Sequence, residues 1–193
     1  GVVVGTELTC SASSSDADDG ALIPTYAWNV NGTLIGTGET YMVDSGDVDV
    51  SDSIDCMASV VDSSNETAVS TVSVSVENTG PVFDVSASIT PNTGVVVGTE
   101  LTCSAGASDA DDGSLIPVYT WMVDSNVVAT GDTYTANALD TDVGSTASCS
   151  SVVTDTQGLT AASTSSVTIS NSPPSMETVS ITPSSGVAVG SIL

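Results

Sequence analysis

Residues 1–79 recur as residues 94–172, and no other feature of the chain constrains its fold as tightly. Gly1-Val-Val-Val-Gly-Thr-Glu-Leu-Thr-Cys10 returns letter for letter as Gly94 to Cys103. Ser15 to Gly20 returns as Ser108 to Gly113, Trp28 as Trp121 and Cys56 as Cys149, at a constant offset of 93 (Gly1 to Gly94). A period of this length is a whole small domain rather than a solenoid turn, so each copy must build its own core. A further copy opens at Gly186 and stops short of its cysteine. The chain therefore reads as a window on a longer tandem array, whose expected job is to extend.

The local pattern is that of strands. Val72-Ser-Val-Ser-Val76 and Val85-Ser-Ala-Ser-Ile89 alternate apolar and polar residues, with Gly and Asn at the breaks. No stretch carries apolar residues at i, i+3, i+4 and i+7 among good helix formers. The expected class is all-β. With 40% hydrophobic residues, each copy can bury a core despite its charge.

That charge is one-sided. The chain has no Lys, Arg or His against 24 Asp plus Glu, a formal net charge of −24. It has no phosphate clamp, no Schiff-base lysine and no imidazole base. Nucleic acid and anionic membrane surfaces, both held through Lys and Arg, are excluded as partners. The carboxylates' mutual repulsion must be met by dilution over surface, by salt or by bound cations. A chain without Lys or Arg also resists trypsin-like cleavage, which suits a saline or protease-rich exterior.

Four cysteines fall two per copy at matching positions. The pairing this suggests is Cys10–Cys56 and Cys103–Cys149. Closing a loop of about 47 residues would remove on the order of 4 kcal/mol of chain entropy from the unfolded state. A thiolate metal site and free buried thiols are the alternatives, though two thiolates without histidine make a poor zinc set. Disulfides imply an oxidising compartment and hence export. No signal peptide or membrane span is visible.

In each copy a cysteine is followed after 18 residues by tryptophan, and after 28 more by the second cysteine: Cys10, Trp28, Cys56. This order in a unit of this size resembles an immunoglobulin-like β-sandwich, where a tryptophan packs on a disulfide joining two sheets. The tyrosine expected two residues before the second cysteine is replaced by Ile54 and Ala147. With its Ser-Asp-Ala-Asp-Asp-Gly loops, the chain is closer to the immunoglobulin-like, PKD-like or cadherin-like repeats of giant bacterial or archaeal surface proteins. The resemblance implies tandem β-sandwich domains, each with one inter-sheet disulfide and a core tryptophan (Trp28, Trp121).

Pro-containing junctions at Asn78-Thr-Gly-Pro81 and Asn171-Ser-Pro-Pro174 set the expected boundaries. Each precedes an alternating strand and an Ile-Thr-Pro turn, so that strand opens the domain it precedes. Residues 80–172 form the complete domain, 1–79 a domain lacking its first strand, and 173–193 the first strand (Met176 to Pro183) and start of a third. Short proline-bearing linkers are stiff, and neighbours should stack end to end.

Several constellations invite chemistry. Asp16, Asp18 and Asp19, with Asp109, Asp111 and Asp112, resemble the opening of a calcium loop. The EF-hand spacing fails, because Gly20 falls at position five and Ala27 or Thr120 at position twelve. A looser Ca²⁺ site remains beside the plain reading, an Asp/Gly turn between strands. No other cofactor is implied. Asp47 with Asp49, and Asp140 with Asp142, could be drawn as a carboxylate dyad, but tandem repetition argues against an active site. Asn31-Gly-Thr33 and Asn65-Glu-Thr67 are glycosylation sequons absent from the second copy. Trp28, Trp121, Tyr26 and Tyr119 could stack on sugars, although their place beside the cysteines favours core packing.

The expected function is structural: a repeat of a long extracellular rod or filament, without catalysis. Its partners would be neighbouring repeats or identical chains, head to tail, by covalent continuity or donor-strand pairing. The alternative is an adhesin repeat contacting a glycan or another cell.

Overall fold

The computed structural model describes residues 1–182, 185, 186, 189 and 190, and contains strands but no helix among them. The first copy holds β1 (Glu7–Thr9), β2 (Ser14–Asp16), β3 (Gly20–Leu22), β4 (Thr25–Val30), β5 (Thr33–Thr37), β6 (Thr40–Met42), β7 (Ser53–Val61) and β8 (Thr67–Ser75). The second holds β9 (Val82–Thr90), β10 (Glu100–Asp109), β11 (Gly113–Leu115), β12 (Val118–Val123), β13 (Asn126–Thr130), β14 (Thr133–Thr135), β15 (Thr146–Thr154) and β16 (Thr160–Thr168).

The second copy is a closed sandwich. One sheet runs β13-β12-β15-β16, and in the other β10 pairs with β9, β11 and β14. Trp121 lies directly across from Cys149 in the β12–β15 register. The Cys103–Cys149 disulfide ties β10 to β15 and so joins the sheets. Around it, Ala87 and Ile89 of β9, Leu101, Val123, Tyr134 and Val167 complete one core. Trp121 Nε1 donates to the Gly131 carbonyl at 3.0 Å, which satisfies its only polar atom inside that core.

The first copy repeats half of this. Its sheet β5-β4-β7-β8 matches the second copy strand for strand, with Trp28 across from Cys56 and Cys10–Cys56 bridged. The opposite sheet does not form as one piece. Where β10 runs unbroken for ten residues, the matching segment, identical but for Ser13 and Ser14 in place of Gly106 and Ala107, breaks into β1 and β2, with Cys10 to Ser13 outside any strand. The segment around the first cysteine is thus discontinuous in the first copy. The reason is the neighbour. β10 is stitched along most of its length to β9, and nothing in the first copy occupies that place.

The same difference leaves an apolar face open. β16 packs against β9, and Ser163 Oγ accepts from the Ala87 N–H at 2.8 Å. Its counterpart β8 is exposed throughout, with Val72 at 63% and Val74 at 37% of their full exposure. A cavity of about 250 Å³ runs beneath, lined by Leu8, Cys10, Trp28, Ile54, Val72 and Val74. Residues 171–182, which include most of the strand expected from Met176, are exposed and belong to no sheet. Pro183, where that strand was expected to end, lies outside the described residues, as do 184, 187, 188 and 191–193.

Candidate functional site

Most of the aspartates singled out in the sequence serve the turns around them. Asp16 Oδ1 accepts from the Asp18 and Asp19 N–H groups at 2.8 and 3.0 Å, and Asp109 Oδ1 does the same with Asp111 and Asp112 at 2.8 and 3.3 Å. Each closes the hairpin β2–β3 or β10–β11, where Gly20 and Gly113 take the left-handed backbone such a turn needs (φ +78° and +75°). Asp19 reaches across to the β7–β8 turn, accepting from Ser63 N and Oγ, both at 2.9 Å. Asp112 treats Thr156 of the β15–β16 turn likewise, at 2.9 and 2.8 Å. Asp19 and Asp112 are therefore struts between two turns, and both oxygens of each are committed.

Asp62 and Asp155, not singled out from the sequence, organise those turns from the inside. Asp155 Oδ1 accepts from the Gln157 and Leu159 N–H groups at 3.0 and 2.7 Å. Burial pushes its carboxyl up, but the Asn78 amide and the N–H groups of Leu159, Gly158 and Gln157 outweigh that and hold it below the ordinary carboxylate value.

What separates the two copies is the linker. Asn78 Nδ2 donates to Asp155 Oδ2 at 2.8 Å. Thr79 donates its N–H to Asp111 Oδ2 at 2.7 Å, and its hydroxyl contacts Asp111 Oδ2 at 2.7 Å and Asp109 Oδ1 at 3.3 Å. Gly80 lies over Leu159. Asn78 and Thr79 thus seat the end of one repeat on the acidic loops of the next. The docking buries Asp109 to 6% and Asp155 to 7% exposure, whereas Asp16 and Asp62 stay half-buried and Asp18 exposed. Three buried oxygens of this junction have no hydrogen-bond partner: Asn78 Oδ1, Asp109 Oδ2 and Asp111 Oδ1. No three acidic side chains gather as a ready-made metal cage among the described residues.

Other sequence candidates resolve into structure. Asp47 accepts from the Tyr41 hydroxyl at 3.1 Å and Asp140 from Tyr134 at 3.4 Å. Burial first, then the neighbouring carboxylate, raises both phenols above their ordinary value. Tyr41 and Tyr134 stack at a tilt on Trp28 and Trp121, with ring centroids 5.7 and 5.6 Å apart. Tyr26 and Tyr119 receive the Ala12 and Ala105 N–H groups at 3.0 Å, which ties the tyrosines to the first cysteine's segment rather than to a sugar face. Asn31 sits at φ 49°, where its counterpart Asp124 sits at φ 45°. Asn31 binds Asp52 and Ser53 as Asp124 binds Thr146, so the turn accounts for it. Asn65 (φ 66°) occupies the left-handed position that Gly158 (φ 95°) fills in the second copy.

Asn78, Thr79 and Asp155 were the residues the sequence reading missed. A signal existed: Asn78-Thr79 recurs as Asn171-Ser172, and Asp62 as Asp155, at the offset of the repeat.

Comparison with known proteins adds little. No protein-family model matches the chain, and no curated protein does. The fibronectin(III)-like modules of Clostridium thermocellum CbhA are similar to it at 14% identity, covering 88% of each chain with a TM-score of 0.30. The sandwich assignment rests on the strands, register and disulfides described above.

Proposed function

We propose that the chain is a structural segment of a long extracellular rod or filament, built by end-to-end docking of immunoglobulin-like sandwiches and without catalysis. The observation that carries this reading is the seating of Asn78 and Thr79 on Asp109, Asp111 and Asp155. A connector of this kind holds adjacent domains in one arrangement, whereas a flexible tether makes no such bonds. Both halves of the joint recur: the linker pair as Asn171-Ser172, the receiving carboxylates as Asp16, Asp18 and Asp62. The open face of the first copy, beside Val72 and Val74, lies on the strand whose counterpart β16 is packed by β9 in the second. A strand of that kind, from a neighbouring repeat or an identical chain, would close it. The disulfides suit an oxidising exterior, and no helix among the described residues is long and apolar enough to cross a membrane.

Small-angle scattering tests the rod. The 193-residue chain should scatter as an elongated particle, each sandwich adding roughly 35–45 Å of length. Replacing Asn78 and Thr79 together by glycine should broaden the distance distribution. A compact profile, or one unchanged by the double substitution, would count against the docked-rod reading.

A further inference from the structure

We infer that Asn65 is a glycan acceptor on the folded chain, and that Asn31, which heads the only other sequon, is not. Asn31-Gly32-Thr33 and Asn65-Glu66-Thr67 both carry the acceptor pattern. They differ in what each amide already does. Asn31 Nδ2 donates to Asp52 Oδ1 at 2.6 Å, and its Oδ1 accepts from the Ser53 N–H at 3.3 Å. With Gly32 it makes the tight turn between β4 and β5, where Asp124 plays the same part in the second copy. The turn therefore explains Asn31.

Nothing comparable explains Asn65. It is exposed, and its side chain makes no hydrogen bond among the described residues. Its turn is held by Asp62 Oδ1, which accepts from the Ser64 and Glu66 N–H groups at 2.8 and 2.7 Å, and by the Asp19–Ser63 strut. What the turn asks of residue 65 is a left-handed backbone (φ 66°), which Gly158 supplies in the second copy without any side chain. There is also room. A Cβ built at Gly158 would meet nothing within 4 Å, although Asn78 is seated on the same turn. The position thus faces open space beside a docked linker. Thr67, the other residue of the sequon, opens β8 and is equally exposed.

The donor is a lipid-pyrophosphate-linked saccharide. Asn65 Nδ2 bonds to the anomeric carbon and gives up one proton, while the carbon–oxygen bond to phosphate breaks with its electron pair leaving on the lipid pyrophosphate. The product is a neutral, hydrophilic cover at one end of the sandwich. Glycosylation here goes beyond the rod reading and can fail or hold whatever the particle shape.

The test incubates the oxidised 193-residue chain with a single-subunit oligosaccharyltransferase that reads Asn-x-Thr and a lipid-pyrophosphate-linked oligosaccharide. The reduced, alkylated chain is the parallel arm. Intact mass counts the glycans, and mass spectrometry of peptides cut at acidic residues places them. The folded chain should gain one glycan, at Asn65. Asn31 should react about tenfold or more slowly, because two hydrogen bonds, one to a carboxylate, must open first. The alkylated chain should be modified at both. Asn65→Gln and Thr67→Ala should each abolish modification of the folded chain, and Asn31→Asp should leave it unchanged. Near-ultraviolet circular dichroism shows whether each variant keeps its tryptophan cores; should one lose them, the relative rates at Asn31 and Asn65 in the unmutated chain decide. No glycan at Asn65 of the folded chain, equal rates at the two asparagines there, or the same preference in the alkylated chain would overturn the proposal.

Discussion

Leu8 and Leu101 are the same residue in the same ten-residue motif, so the pair isolates what a covering strand contributes. Leu101 is fully buried in the core that Ala87 and Ile89 of β9 help to close. Leu8 is half-buried beside the cavity of about 250 Å³ under β8. Leu101→Ala removes three buried carbons, worth about 0.8 kcal/mol each, and leaves a cavity that a disulfide-tied core cannot readily collapse. The expected cost is about 3 kcal/mol. For Leu8→Ala much of that transfer free energy was never gained, and the expected cost is about 1 kcal/mol. For a domain of this size, 1 kcal/mol shifts the melting point by roughly 4–8 °C. Leu101→Ala should then lower the transition of its repeat by roughly 12–24 °C, and Leu8→Ala by no more than roughly 8 °C. Calorimetry gives the shifts. Tryptophan fluorescence assigns them, since each copy has one tryptophan, and a Trp28→Phe background reports Trp121 alone. Equal shifts in the two copies would refute the argument, because they would mean that both leucines are equally covered.

Two further outcomes follow from the same structure. Denatured, unreduced protein should show no titratable thiol, reduction should expose four, and each repeat should lose on the order of 4 kcal/mol; thiols detected before reduction would contradict the pairing. Asp16, Asp52 and Asp124 are held below the ordinary carboxylate value of 3.8, foremost by the N–H groups of Asp19, Asp49 and Thr146 respectively. A depressed folded-state pKa stabilises above the unfolded value and loses that contribution as pH falls through the folded one. Carboxyl carbon NMR shifts should therefore titrate below 3.8 at these three residues, and titration at or above that value would remove the turn interactions from the account.

Much of the fold was legible without coordinates because it is carried by short-range or repeated signals. Alternation marks strands, Gly20 and Gly113 mark left-handed turns, and the recurring Cys10–Trp28–Cys56 order anticipates which strands must face each other. These features depend on the residue and its immediate neighbours, and duplication displays them twice. The joint was less legible. Asp16-Ala-Asp-Asp19 and Asp109-Ala-Asp-Asp112 are the same letters, and no local rule separates a solvated turn from a buried one.

Tertiary structure separates them. The segment around Cys103 becomes one continuous strand because β9 supplies hydrogen-bond partners, while the matching segment around Cys10, which differs only at Ser13 and Ser14, breaks where no such partner lies. Asp109 becomes buried because Asn78 and Thr79, some thirty residues earlier, fold back onto its loop. Burial and strand continuity are properties of what covers a segment, and the covering groups lie far away along the chain. The sequence by itself determined the sandwich, the cysteine pairs and the repeat. Only the packing of distant segments decided where the strand around the first cysteine breaks and which acidic loop is taken out of water.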